Sequence, residues 1–113
     1  MSSAENVTVK LCDLTSLASG EITTTQVDGR EIAYARIGDD WYAIDDTCTH
    51  QAVSLAEGYL EEDDITIECP LHGALFSLET GDALTLPATK AVARHEVEVR
   101  GDEVYVTIQG DDE

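Results

Sequence analysis

Four side chains that ligate soft and borderline metals stand in two short pairs, Cys48-Thr49-His50 and, after 18 intervening residues, Cys69-Pro70-Leu71-His72. The chain has only three cysteines and three histidines, so these pairs hold most of its thiol and imidazole groups. Two thiolates and two imidazoles suit tetrahedral zinc or an iron–sulfur centre of mixed ligation. Structural zinc fingers usually pair like with like, two cysteines on a knuckle and two histidines on a helix. Here each pair supplies one of each. That pattern favours a two-metal centre, because each loop can give its sulfur to one metal and its nitrogen to the other.

The elements that must position these pairs read as strands. Val7, Val9 and Leu11 alternate with Thr8 and Lys10, the period of a strand with one buried face. Between Ile22 and Asp45 three runs rich in β-branched and aromatic residues are broken at Asp28-Gly29 and Gly38-Asp39, which are hairpin signals. Ile65, Ile67 and Cys69 alternate again, and residues 95–108 form two alternating runs about Gly101-Asp102. A turn near Asp13 to Ser19 is the one helical candidate. The expectation is an all-β single domain over residues 1–113. Its base, an antiparallel sheet or sandwich, takes about 1–44 and 88–113, and a loop-rich inserted subdomain with Gly58, Gly73 and Gly81 takes about 45–87.

A chain of 113 residues can bury one core. Six Lys plus Arg against 24 Asp plus Glu give a net charge of -18, which repels nucleic acid and anionic lipid and leaves two readings, docking on basic protein surfaces or an acid coat that serves solubility or a salty cytoplasm. No run approaches the roughly 20 apolar residues of a membrane helix, and the opening MSSAENVTVK lacks the basic and apolar regions of a secretion signal. A monomer in the cytoplasm is expected. Three cysteines are too few and too odd for a disulfide framework. Cys12 reads as a small buried residue ending the first strand, His95 as an exposed sheet residue, and Trp41 and Tyr42 as packing. Asp45-Asp46 reads as a solvated turn or a partner-steering pair, Glu61 to Asp64 as a hydrated hairpin tip, and QGDDE as a frayed end.

With its flanking residues, DDTCTH followed by Ser54-Leu55 and Glu57-Gly58, then CPLHGALF followed by Thr80-Gly81 and Leu86-Pro87-Ala88, the chain resembles the Rieske [2Fe-2S] proteins. Among them it is similar to the ferredoxins of bacterial aromatic-ring dioxygenases, along nearly its whole length. The resemblance implies the Rieske fold and one [2Fe-2S] cluster per chain. Cys48 and Cys69 would hold one iron, and His50 and His72 the other. It also implies a function: a one-electron carrier between an NAD(P)H-dependent, flavin-containing ferredoxin reductase and a terminal oxygenase that hydroxylates aromatic compounds. The alternatives are a small Rieske subunit of a nitrite reductase or other oxidoreductase, or a zinc-stabilised binding module. An oxygenase in its own right would need a further iron held by two histidines and a carboxylate. Only His95 remains for it, so the chain is expected to carry electrons without catalysing a reaction.

Two neutral imidazoles in place of two thiolates make the centre less negative and easier to reduce than plant-type clusters. Against high-potential relatives, Val53 and Leu71 stand where a second cysteine pair forms a disulfide, and Ala74 and Phe76 stand where a serine and a tyrosine donate hydrogen bonds to the cluster sulfurs. Without those donors the reduced state is less favoured. A redox titration is expected to give a midpoint on the order of -150 mV, and a clearly positive midpoint would contradict the assignment of Ala74 and Phe76.

Overall fold

The computed structural model describes residues 7–27, 29–48, 53–71, 73–86 and 90–108. Among the described residues nine strands follow one another: β1 (Val7–Asp13), β2 (Glu21–Val27), β3 (Arg30–Ile37), β4 (Asp40–Asp45), β5 (Tyr59–Glu61), β6 (Thr66–Glu68), β7 (Leu75–Ser77), β8 (Arg94–Arg100) and β9 (Glu103–Ile108). Three hairpins arise where Gly-containing dipeptides break the alternation. Val27 pairs with Arg30, Ile37 with Asp40 and Arg100 with Glu103, and the glycines there, at positions 29, 38 and 101, all have the positive φ that two-residue turns require. The strands form a six-stranded antiparallel sheet in the order β1-β9-β8-β4-β3-β2 and a three-stranded one in the order β5-β6-β7.

The larger sheet shapes two cores. Ile32 and Tyr34 of β3 and Trp41 and Ala43 of β4 pack with Leu17, Val104, Val106 and Ile108. The intervening Ala33, Ala35 and Ile44 point the other way, into a cluster with Ile67, Phe76, Leu78 and both Cys48 and Cys69. Strands β3 and β4 are therefore covered on both faces, with small alanines where the smaller sheet approaches. That smaller unit leaves β4 and re-enters at β8, which are neighbours: Ala43 pairs with His95, Ile44 with Arg94, and Asp45 N–H donates to the Ala93 carbonyl at 2.9 Å. Its two feet stand side by side on one rigid edge.

Several expectations need correction. Asp13 to Ser19 is not helical. β1 runs to Asp13 and the rest is a loop, held by the Arg36 guanidinium, which donates to the carbonyls of Leu14 and Leu17. The single helical element among the described residues is a 3-10 turn at Leu55–Glu57. Ile65 does not begin the strand. Glu61 pairs with Thr66, so residues 62–65 make a four-residue hairpin loop whose last position takes φ 55° while the Ile65 side chain packs on the core. His95 is buried, 1% exposed, because the β4 register turns it inward, where Nε2 lies 2.8 Å from Asp45 Oδ1. Cys12 is half-buried at the irregularity between Lys10 and Cys12, and burial raises its thiol pKa, which keeps it from acting as a thiolate. Trp41 packs as anticipated, with the Arg36 guanidinium 5.8 Å from its ring centre.

The return segment depends on Gly81. Its φ is 85°, its carbonyl accepts from Val92 N–H at 2.8 Å, and a Cβ there would collide with the Val92 carbonyl. Gly81→Ala is expected to cost about 3 kcal/mol in urea unfolding; a loss below about 0.5 kcal/mol would show that the return segment can shift without penalty.

Candidate metal centre

The two ligand pairs lie on loops closed in the same way. Cys48 N–H donates to the carbonyl of Val53 at 3.0 Å, and Cys69 N–H donates to the carbonyl of Ala74 at 2.8 Å. In each case the cysteine reaches the fifth residue after it, and the histidine expected to serve as ligand falls within the closed loop. Both cysteines are buried, at 3% and 1% exposure, in one apolar cluster with Leu55, Ala74 and Phe76. His50 and His72 lie outside the described residues. Among the described residues no three His, Cys, Asp or Glu side chains converge as a metal site.

The two loops are braced differently beyond their cysteines. In the second loop Gly73 takes φ 77° and donates its N–H to the Cys69 carbonyl at 3.1 Å, a tight turn that a side chain would strain. In the first loop the work falls to Asp46. It is 4% exposed, and its Oδ1 accepts from Ser54 Oγ at 2.9 Å and from Ala56 N–H at 3.0 Å. Its neighbour Asp45 lies 3.6 Å from Arg30 Nε as well as against His95. The acidic pair is thus built into the base of the loop and is not a hydrated turn. Sequence reading overlooked this role, although Asp46 and Ser54, bracketing the first ligand pair, carry the signal.

The loops are set against each other by Gly58. A Cβ there would run into the Glu68 carbonyl and come within 3.1 Å of Pro70 Cδ. The glycine closing the 3-10 turn after the first loop therefore touches the strand and the proline that frame Cys69. Leu71, Leu84 and Leu86 are exposed nearby in sequence, Leu84 being tied to Leu75 by a 2.7 Å backbone bond. Glu61, Glu62, Asp63 and Asp64 are exposed at the β5–β6 tip, as expected.

The donor chemistry fits a cluster of mixed ligation. Two buried sulfurs in one apolar cluster, on loops of equal closure held in contact, are donors that such a centre would use.

Comparison with known proteins gives the same direction. The family described as the Rieske [2Fe-2S] domain matches residues 7–108. The chain is 43% identical over 100 residues to the 3-phenylpropionate/cinnamic acid dioxygenase ferredoxin subunit of Shigella flexneri, covering 86% of this chain and 90% of the relative. Among solved structures it is similar to the ferredoxin of carbazole 1,9a-dioxygenase from Nocardioides aromaticivorans, with a TM-score of 0.86 and 36% identity over 88% of this chain and 95% of the other. A second, solved as a complex of reduced oxygenase and oxidized ferredoxin in carbazole 1,9a-dioxygenase, gives a TM-score of 0.83 and 39% identity over 94% and 97%.

If the apposition at Gly58 holds the two loops in register, Gly58→Ala should lower the iron retained per chain by about half or more, with a loss of about 2 kcal/mol in stability. Iron content and a urea midpoint equal to the parent's would show that the loops do not depend on this contact.

Proposed function

Because the chain belongs to the Rieske [2Fe-2S] domain family, we propose that it is the ferredoxin of an aromatic-ring dioxygenase system, a carrier with Cys48 and Cys69 on one iron and His50 and His72 on the other. When bound, the cluster supplies a site that takes up and gives out one electron at a time. The observation that carries the reading is the pair of matched loop closures, each with a buried cysteine at its start. Burial keeps solvent from the sulfurs, while the apolar wall of Leu55, Ala74 and Phe76 offers no side-chain hydroxyl to them. His95 is committed to Asp45, which supports the view that no second iron site is built here and that the chain carries electrons for another protein's chemistry.

The partners proposed are a flavin-containing, NAD(P)H-dependent reductase and a terminal oxygenase. Exposed Leu71 in the second loop, with Leu84 and Leu86 further along the chain, offers apolar surface, and the surplus of acid provides attraction at longer range. Lys10, Arg30, Arg36, Arg94 and Arg100, already counted in the net -18, each stand within 4.0 Å of a carboxylate of the same chain. A basic face on each partner is the complement. We place the whole chain in a single domain, with about 45–87 as the cluster-binding part on a base of about 1–44 and 88–113. A monomer in the cytoplasm fits the charge; among the described residues no helix is long and apolar enough to cross a membrane.

Reconstitution tests this directly. The purified protein should be brown, contain two irons and two sulfides, and raise NADH-driven turnover of an oxygenase–reductase pair at least tenfold, with the rate falling as salt shortens the Debye length below about 8 Å. Cys48→Ser and Cys69→Ser should each abolish both colour and turnover. A colourless zinc-loaded protein, or an iron-loaded one that accelerates no such pair, would overturn the proposal.

A further inference from the structure

We propose that Asp46 is a positioning residue for the metal centre: its buried carboxylate closes the base of the first ligand loop, and its charge holds the centre's potential down. The inference rests on the cluster assignment above and adds to it a role for a residue outside the four ligands.

The geometry is specific. The loop leaves the base at Asp46 and returns at Ser54, and residues 47 and 54 meet in an isolated antiparallel bridge. Two backbone bonds make that bridge, Cys48 N–H to the Val53 carbonyl at 3.0 Å and, nearer the base, Leu55 N–H to the Asp46 carbonyl at 2.7 Å. Beyond it the ladder stops, because the chain turns into the 3-10 helix at Leu55–Glu57, whose first N–H groups have no partner within the helix. The Asp46 side chain takes the place of the missing rung: Oδ1 accepts both the Ala56 N–H and the Ser54 hydroxyl. Ser54 occupies the N-cap position of that turn without capping it, its hydroxyl being given to Asp46. Asp46 is tied down in its turn, its own N–H donating to the Glu31 carbonyl at 3.1 Å in β3. Asp46 therefore couples the start of β3, through its backbone N–H, with the outgoing chain two residues before Cys48 and, through its carboxylate, with the returning chain that carries Leu55 into the core beside both cysteines.

Two consequences can be separated. The acceptor function is geometric and is preserved by an amide oxygen. The charge is electrostatic: a carboxylate withdrawn from water, close in sequence to a ligand, disfavours an added electron more than an exposed one does. Glu57, exposed on the same turn, is the natural control.

The test uses the iron-loaded full chain with three readouts: iron release to a chelator, the midpoint potential, and amide hydrogen exchange of segment 53–58 by mass spectrometry. Asp46→Ala should release iron about tenfold faster and speed exchange of 53–58 by a similar factor. Asp46→Asn should stay within about threefold of the parent in both while its potential shifts upward, by more than in Glu57→Gln. Ser54→Ala, which removes one of the two donors and keeps the charge, should fall between, with little change in potential, and serves if Asp46→Ala does not fold. The proposal is overturned if Asp46→Asn loses iron as readily as Asp46→Ala, if Ser54→Ala matches the parent in release and exchange, or if the upward shift is absent or equalled by Glu57→Gln. Should the parent itself take up no iron, the cluster assignment fails, and the exchange of segment 53–58 still decides whether the carboxylate closes the loop.

Discussion

The arrangement depends on one backbone constraint used twice, a cysteine N–H held by the carbonyl five residues further on. Such a closure needs partners that keep its ends together, since fixing each residue of a loop costs about 1–2 kcal/mol in conformational entropy. The second loop meets this cost with Gly73 and with strands β6 and β7, which pair directly on either side of it, Glu68 opposite Leu75. Among the described residues the first has no such hairpin. It relies on the Thr47–Ser54 bridge, the short helical turn and a buried carboxylate. Two loops of similar outline are thus stabilised by different means.

That difference is supported from below by the two-faced strands β3 and β4. Their inner positions divide between a base core and the cluster of residues around the cysteines, so the apolar contacts that stabilise the sheet also hold the pocket. Asp45, where β4 ends, meets His95 of β8 and Arg30 of β3, and a polar triad of this kind is satisfied only when the three strands are in register. The acidic surface stands apart from this machinery. Charge of this kind bears on solubility and encounter more than on the fold.

The strands and turns were legible because their signals are local. Alternation and Gly-containing dipeptides marked β1 to β4, β8 and β9, and the spacing of Cys48, His50, Cys69 and His72 marked the loops. The features that escaped notice come from pairing across the chain. His95 looks exposed beside Glu96 until the β4 register turns it inward. Asp45 and Asp46 look like a hydrated turn until Ser54, Ala56 and His95 are brought to them. Ile65 fits a strand by its neighbours, yet the hairpin gives it the αL position that ends the loop. The short helical turn at Leu55–Glu57 is too brief for any periodicity to show.

The central claim is that nitrogen and sulfur divide between two irons, one loop contributing one of each. Pulsed electron paramagnetic resonance on the reduced protein, prepared with and without 15N-labelled histidine, reads that division directly. The account predicts spin coupling to two inequivalent histidine nitrogens. Coupling to one nitrogen, to none, or the lack of any paramagnetic signal on reduction would contradict it.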